Sequence, residues 1–142
     1  SQFDDPEVGL VAPASDFVAG TQSITYLTQL TYNVTVVMGV CLVIKTAFFK
    51  ELGGLDESLP GGDDLDLCVR VRKAGKLVRV NKAAFLHHIG QQSGRRKHGD
   101  YYDSAGHQEK TKNAIAAKYG FREWANVHAF SIEDSVKEKV LI

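Results

Sequence analysis

Between Gly53 and Arg70 the chain reads GGLDESLPGGDDLDLCVR, a stretch that holds five carboxylates (Asp56, Glu57, Asp63, Asp64, Asp66) and no basic residue before Arg70. Carboxylates gathered without a cation among them suit proton abstraction or the holding of a divalent metal ion. Pro60-Gly61-Gly62 joins the two halves as a turn of wide backbone freedom. Asp63, Asp64 and Asp66 then fall in the first turn of a helix, where the backbone dipole favours negative charge. That helix is predicted from Asp63 to Ala74. Leu67, Cys68, Val71 and Ala74 make one apolar stripe, Arg72 and Lys73 occupy the last turn, and Gly75 stops it. Asp63 is expected to cap it, with Asp66 three residues on as a capping-box partner. Arg70, four residues beyond Asp66, can pair with it as a brace. The alternative for the acidic group is an N-cap with solvated neighbours.

These residues need a framework. VGLVA, starting at Val8, reads as a short buried strand, and residues 16–20 as loop. A helix is expected over Ser23 to Tyr32. The apolar run VTVVMGVCLVIKTAFF supplies one or two core strands, broken near Gly39 and ending near Ile44-Lys45. Thr46 is expected to cap the short helix AFFKEL, closed by Gly53-Gly54. After the acidic helix, KLVRVNKA alternates as a strand should, and AFLHHIG reads as a second short strand or a strand end. Residues 93–103 are polar and basic and read as a mobile loop. A helix follows from Ser104 to Tyr119, closed by Gly120, and the tail adds a last one. Helices interleaved with Val/Ile-rich strands indicate an α/β domain. Its first strand arrives with no βαβ unit before it, so the chain reads as the second half of a larger unit.

The bulk properties narrow the function classes. With 142 residues and 44% hydrophobic residues, one domain with a real core is expected and wholesale disorder is not. A formal net charge of zero speaks against general nucleic-acid binding through phosphate neutralisation. The charge is uneven, however: Leu67 to Gly99 carries nine Lys/Arg and no acid. An acidic block followed by a basic one could bracket a metal–diphosphate or an anionic acceptor, against the plainer reading of a solvated helix face and a basic loop. Cys41 and Cys68 lie in apolar surroundings without metal-type spacing and read as buried thiols of a reducing compartment. No apolar run approaches the ~20 residues that span a bilayer. With no signal peptide in view, a cytoplasmic location is expected.

Taken in order, Gly39, Cys41, Ile44, Gly53-Gly54-Leu55-Asp56-Glu57, Gly62-Asp63-Asp64-Leu65-Asp66-Leu67, Arg70, Gly75 and His88-Ile89-Gly90-Gln91-Gln92-Ser93 resemble one family. They look like the C-terminal half of a family-two glycosyltransferase with the GT-A fold. FDDPEVGLVAPAS resembles the segment after that family's DxD strand, and KNAIAAKYG its helix ending in Lys-aromatic-Gly, so the likeness runs over roughly residues 3–120. It implies an α/β fold, the C-terminal half of a GT-A mixed sheet with flanking helices. Residues 1–100 would form the acceptor-side half and residues 101–142 a C-terminal helical extension, with the DxD-bearing donor half upstream of residue 1.

The resemblance also implies a chemistry. The intact enzyme would transfer a sugar with inversion from a nucleotide-diphosphate donor to a saccharide or lipid-linked acceptor, in polysaccharide biosynthesis. Asp64 stands where the family has its base, and Asp63 replaces the more usual Glu. A carboxylate with a pKa near 4 is a weak base toward an alcohol and works when proton transfer accompanies bond formation. Asp63, Asp66, Arg70, Gly39, Gly54 and Asp56 would support the acceptor side, the glycines and Asp56 also being what a plain tight turn needs. His88, preferred over His87 for its spacing to Ser93, aligns with the family's His near metal and diphosphate, so a divalent ion (Mn or Mg) is expected in the full-length enzyme. Arg95, Arg96 and Lys97 would sit on a loop closing over the donor. Peripheral membrane association of the full protein and a homodimer through exposed strand edges are expected, and little activity from this chain alone. The rival reading is a non-catalytic saccharide- or protein-binding module that retains the fold.

Overall fold

The computed structural model describes residues 1–16, 18, 20–24, 29–90, 96, 99 and 105–129. Its centre is β1 (Val8–Ser15), in which all eight residues are buried. A strand covered on both faces has no polar side to alternate with, which is why VGLVAPAS reads as a continuous small-apolar run. β4 (Leu77–Leu86) lies parallel beside it, with Leu10 opposite Val78 and Ala12 opposite Val80. The register shifts after Pro13, which has no N–H to give a ladder. β2 (Thr31–Val34) pairs antiparallel with the other side of β4, and β3 (Val43–Ile44) antiparallel with the other side of β1. The mixed sheet therefore runs β2-β4-β1-β3.

The helices are α1 (Thr46–Glu51), α2 (Asp63–Lys73), α3 (Ala105–Tyr119) and α4 (Phe121–Ala129). Only Ala74-Gly75-Lys76 separates α2 from the strand it packs on, so α2 runs back against β4 and its first turn stands at the C-terminal edge of the parallel pair. Three contacts fix that alignment. The Arg72 Nε donates to Thr35 O at 2.8 Å, the Val37 N–H to Cys68 Sγ at 3.5 Å, and the Gly39 N–H to Asp64 Oδ2 at 2.6 Å. Four helical residues rise ~6 Å and two extended residues ~6.6 Å, so a helix face stepping by four meets a segment stepping by two.

Leu10, Val34, Val36, Val37, Leu67, Val69, Val71, Val78 and Val80 belong to one core cluster, each almost wholly buried. Truncating Leu10 or Leu67 to Ala would cost about 2–5 kcal/mol. Ile115 of α3 and Val127 of α4 belong to the same cluster, so both C-terminal helices close this core. No described helix is long and apolar enough to cross a membrane.

Several sequence expectations change. Thr31 and Tyr32 are in β2, where a helix over 23–32 was expected, and Ser23 bridges to Ser15; residues 25–28 lie outside the description. Of the two readings of AFLHHIG, the strand end holds for AFL, which continues β4. The residue preceding α1 is Lys45, without a side-chain cap, so Thr46 is the first helical residue. The predicted loop over 93–103, apart from residues 96 and 99, and the tail beyond residue 129 lie outside the described residues.

Candidate active site

Asp64 sits in the first turn of α2, which starts one residue earlier than a capping Asp63 would have it. Gly62 occupies the N-cap position with φ of 73°, a left-handed conformation open to glycine, and no side chain caps the helix. Asp63 is thus the first helical residue, and its side chain is exposed. Asp64 is half-buried. Its Oδ2 accepts from the Gly39 N–H at 2.6 Å and its Oδ1 from the Leu65 N–H at 2.8 Å. Burial raises its pKa above the ordinary carboxylate value against the pull of those two N–H groups, and the neighbouring Asp63 charge adds to the rise. A carboxylate has about four lone-pair sites, so each oxygen keeps one for an incoming hydroxyl. Gly39 is close as well as bonded: a Cβ there would stand 3.2 Å from Asp64 Cβ and 3.2 Å from its Oδ2.

Asp66, two residues on, turns inward instead of back to the cap. It is fully buried and surrounded by donors. Its Oδ2 accepts from Arg70 Nε at 2.8 Å, and its Oδ1 accepts from Lys118 Nζ at 2.7 Å and from the Tyr119 hydroxyl. The expected Asp66–Arg70 brace is present, and the capping-box role is not: three side-chain donors hold the carboxylate away from the helix end. Arg70 Nη2 also lies 2.8 Å from Oδ2, at an angle that makes no hydrogen bond. Its Nη1 donates to Leu52 O and Gly54 O, at 2.8 and 2.7 Å, which pins the Gly53-Gly54 turn to α2.

Asp56 anchors the other end of that loop. Its Oδ1 accepts from the Ser58 N–H and hydroxyl, and its Oδ2 from Lys118 Nζ at 2.7 Å. The Lys118 and Ser58 hydrogen bonds hold the Asp56 carboxyl well below the usual range. Burial alone would lower Lys118, but its bonds to Asp56 and Asp66 keep the ammonium above the ordinary lysine value. Lys118 and Tyr119 were not singled out in the sequence. Their signal was only the Lys-aromatic-Gly end of a helix.

A second group of polar residues stands at the C-terminal ends of β1 and β4. Asp16 Oδ1 accepts from the His88 N–H at 3.0 Å, and Oδ2 meets His87 Nδ1. Those contacts, His88's first, hold Asp16 down to about 2. Asp16 therefore engages both histidines, the ring of one and the backbone of the other. The sequence places Asp16 in a loop, and its signal is a carboxylate just past a buried strand. Gln22, fully buried, links this end to the base: its Nε2 donates to Pro13 O at 3.1 Å and its Oε1 accepts from the Met38 N–H at 2.7 Å, next to Gly39. Among the described residues, no three His, Cys, Asp or Glu side chains come together as metal ligands. Of the basic run, Arg96 is exposed, and Arg95 and Lys97 lie outside the described residues.

Gly39, Asp63 and Asp64 thus share one corner, while Gly54, Asp56, Asp66 and Arg70 form the frame behind it, and His88 stands at the strand ends.

No family model and no solved structure matches the chain. The pre-mycofactocin glycosyltransferase of Mycobacterium tuberculosis, in two strains, is 29% identical over 104 residues, covering 61% of this chain and 22% of that relative. The chain is a distant relative of a glycosyltransferase. An uncharacterized protein of Sinorhizobium fredii, y4gI, is 40% identical over 75 residues, covering 51% of this chain and 8% of its own length. The chain therefore spans under a quarter of the relatives it matches.

Proposed function

We propose that, in the intact protein, this chain is the acceptor-side, base-bearing part of a GT-A-type glycosyltransferase. Asp64 takes the proton of an acceptor hydroxyl as that oxygen attacks the anomeric carbon of a nucleotide-diphosphate sugar. The bond to the diphosphate breaks on the opposite face, so configuration inverts. The observation that supports this is the setting of Asp64: a half-buried carboxylate fixed by two N–H groups, with its basicity raised by burial. A base gains when its pKa moves toward the working pH, and when its geometry is fixed before the reaction. The saccharide or lipid-linked acceptor would lie over Asp63, Asp64 and Gly39.

Among the described residues, His88 has no two further His, Cys, Asp or Glu side chains beside it to complete a metal site. Mn or Mg in the intact protein would need ligands besides these.

The test is sugar transfer by the intact protein from UDP- or dTDP-sugar donors. Asp64→Asn should lower kcat by about 10²–10⁴-fold with donor affinity and thermal melting retained. Transfer at the parent rate would overturn the assignment of Asp64 as the base, and absence of transfer by the unmutated intact protein would favour a binding module. The 142-residue chain by itself should turn over little or no donor.

A further inference from the structure

α3 touches the loop that carries the base at both of its ends. Its first half lies over the Gly61-Gly62 turn: a Cβ on Gly61 would stand 3.1 Å from Thr111 Oγ1 and 3.2 Å from His107 Nε2, and one on Gly62 2.7 Å from Thr111 Cγ2. Its last turn delivers Lys118 and Tyr119 to Asp66, and Lys118 also to Asp56. The two contact regions are about 10–17 Å apart along α3, yet in sequence they fall on residues 56–66, the segment that contains Asp64. Asp66 is wholly buried on the same helical turn as Asp64. A buried carboxylate is tolerated only when it is paired and hydrogen-bonded, so the position of that turn depends on the donors that meet Asp66.

Two of those donors are placed by α2 itself or by its neighbour: Arg70 Nε comes from the next turn, and Tyr119 brings a neutral hydroxyl. Lys118 is different. Among the described residues it is the cation that spans from Asp66 to Asp56, 2.7 Å from each, and so ties the loop's entry to the helix start. Its Nζ also stands over the Tyr119 ring, 5.2 Å from the centroid.

Resting on the reading of Asp64 as the base, we propose that Lys118 is a positioning residue for Asp64: by bridging Asp56 and Asp66 it sets the height of the first turn of α2, and with it the hydrogen bond from the Gly39 N–H to the Asp64 carboxylate. Lys118 does not touch the reacting atoms. It acts through Asp66 and the loop.

The experiment follows the Gly39 amide proton of this chain by NMR through the Asp64 titration, which reads the hydrogen bond without any need for transfer. Lys118→Met, which keeps most of the stem and removes the ammonium, should cut the amplitude of that titration at least twofold. Lys118→Arg should restore most of it. Asp56→Asn, which leaves the pairs of Asp66 in place, should give an intermediate loss and serves if Lys118→Met does not fold. In the intact protein Lys118→Met should lower kcat at least tenfold with KM changed less than threefold. A Lys118→Met or Asp56→Asn chain that melts lower but keeps the full Gly39 titration would overturn the proposal, leaving Lys118 purely structural. If the Gly39 amplitude falls as expected while Asp64→Asn still transfers sugar, the positioning stands and the base assignment fails.

Discussion

The Gly39 N–H lies 2.6 Å from the Asp64 Oδ2, and nothing larger than glycine fits beside that carboxylate without moving it. The glycine breaks an apolar run and brings a backbone donor into contact with an acid, where any side chain would separate the two.

Gly39→Ala tests that contact. The backbone of Gly39 does not require a positive φ, so the fold should persist and melting should drop by only a few degrees. The methyl group pushes the carboxylate by a few tenths of an ångström. Transfer by the intact protein should fall about tenfold to a hundredfold, mainly in kcat.

The raised pKa of Asp64 gives stability a defined pH dependence. The folded chain holds the Asp64 proton more tightly than the unfolded chain does. The stability linked to it is fully present below the unfolded value near 4, and is lost as pH rises through the folded value. Asn does not titrate, so the parent's stability relative to Asp64→Asn should fall as pH rises from about 4 toward neutrality. Urea unfolding of both proteins at matched pH values would show it; a constant difference across that window would contradict the burial of this carboxyl.

Gly62 carries two constraints that can be separated. Its φ of 73° disfavours any Cβ, and that Cβ would also stand 2.7 Å from Thr111 Cγ2. Gly62→Ala should cost about 1–3 kcal/mol. Adding Thr111→Ser, which removes the methyl group, should recover the part due to α3 and leave the backbone part. Denaturant midpoints of the single and double variants give the split.

Burial pushes the Cys68 thiol up to about 12, while Cys41 is only half-buried. Iodoacetamide at pH 8 should alkylate Cys41 in the native chain and reach Cys68 only on unfolding. Mass mapping after a short exposure would decide; equal labelling would mean that α2 separates from residues 35–39.

The acidic helix was legible because its stripe, its acidic first turn and its terminal glycine are local signals that agree. The frame behind it was not, since Lys118 and Tyr119 lie 52 and 53 residues from the Asp66 they satisfy. Whether β4 is one strand or two was open for another reason. Its buried alternation ends at Val80, and Ala83 to Leu86 are apolar but exposed, so past the register shift at Pro13 the pairing with β1 continues without a period to mark it. Residues 31–32 were assigned to a helix because a four-residue strand offers only two buried positions, Tyr32 and Val34, too few to establish a period. The cap was placed one residue late because Asp63 has the side chain for it, while the left-handed backbone that starts the helix belongs to Gly62.

The meeting of α2 with residues 35–39, where Asp64, Cys68 and Arg72 pair with every second residue of the facing segment, works like teeth on a rack. Such gearing depends on the number of teeth. Deleting one residue between Thr35 and Gly39 would turn the pleat over, and the amide that now meets Asp64 would face the other way. The segment facing α2 meets it through main-chain groups, so Thr35 and Val37 can change side chain, whereas Gly39 and the segment's length are fixed.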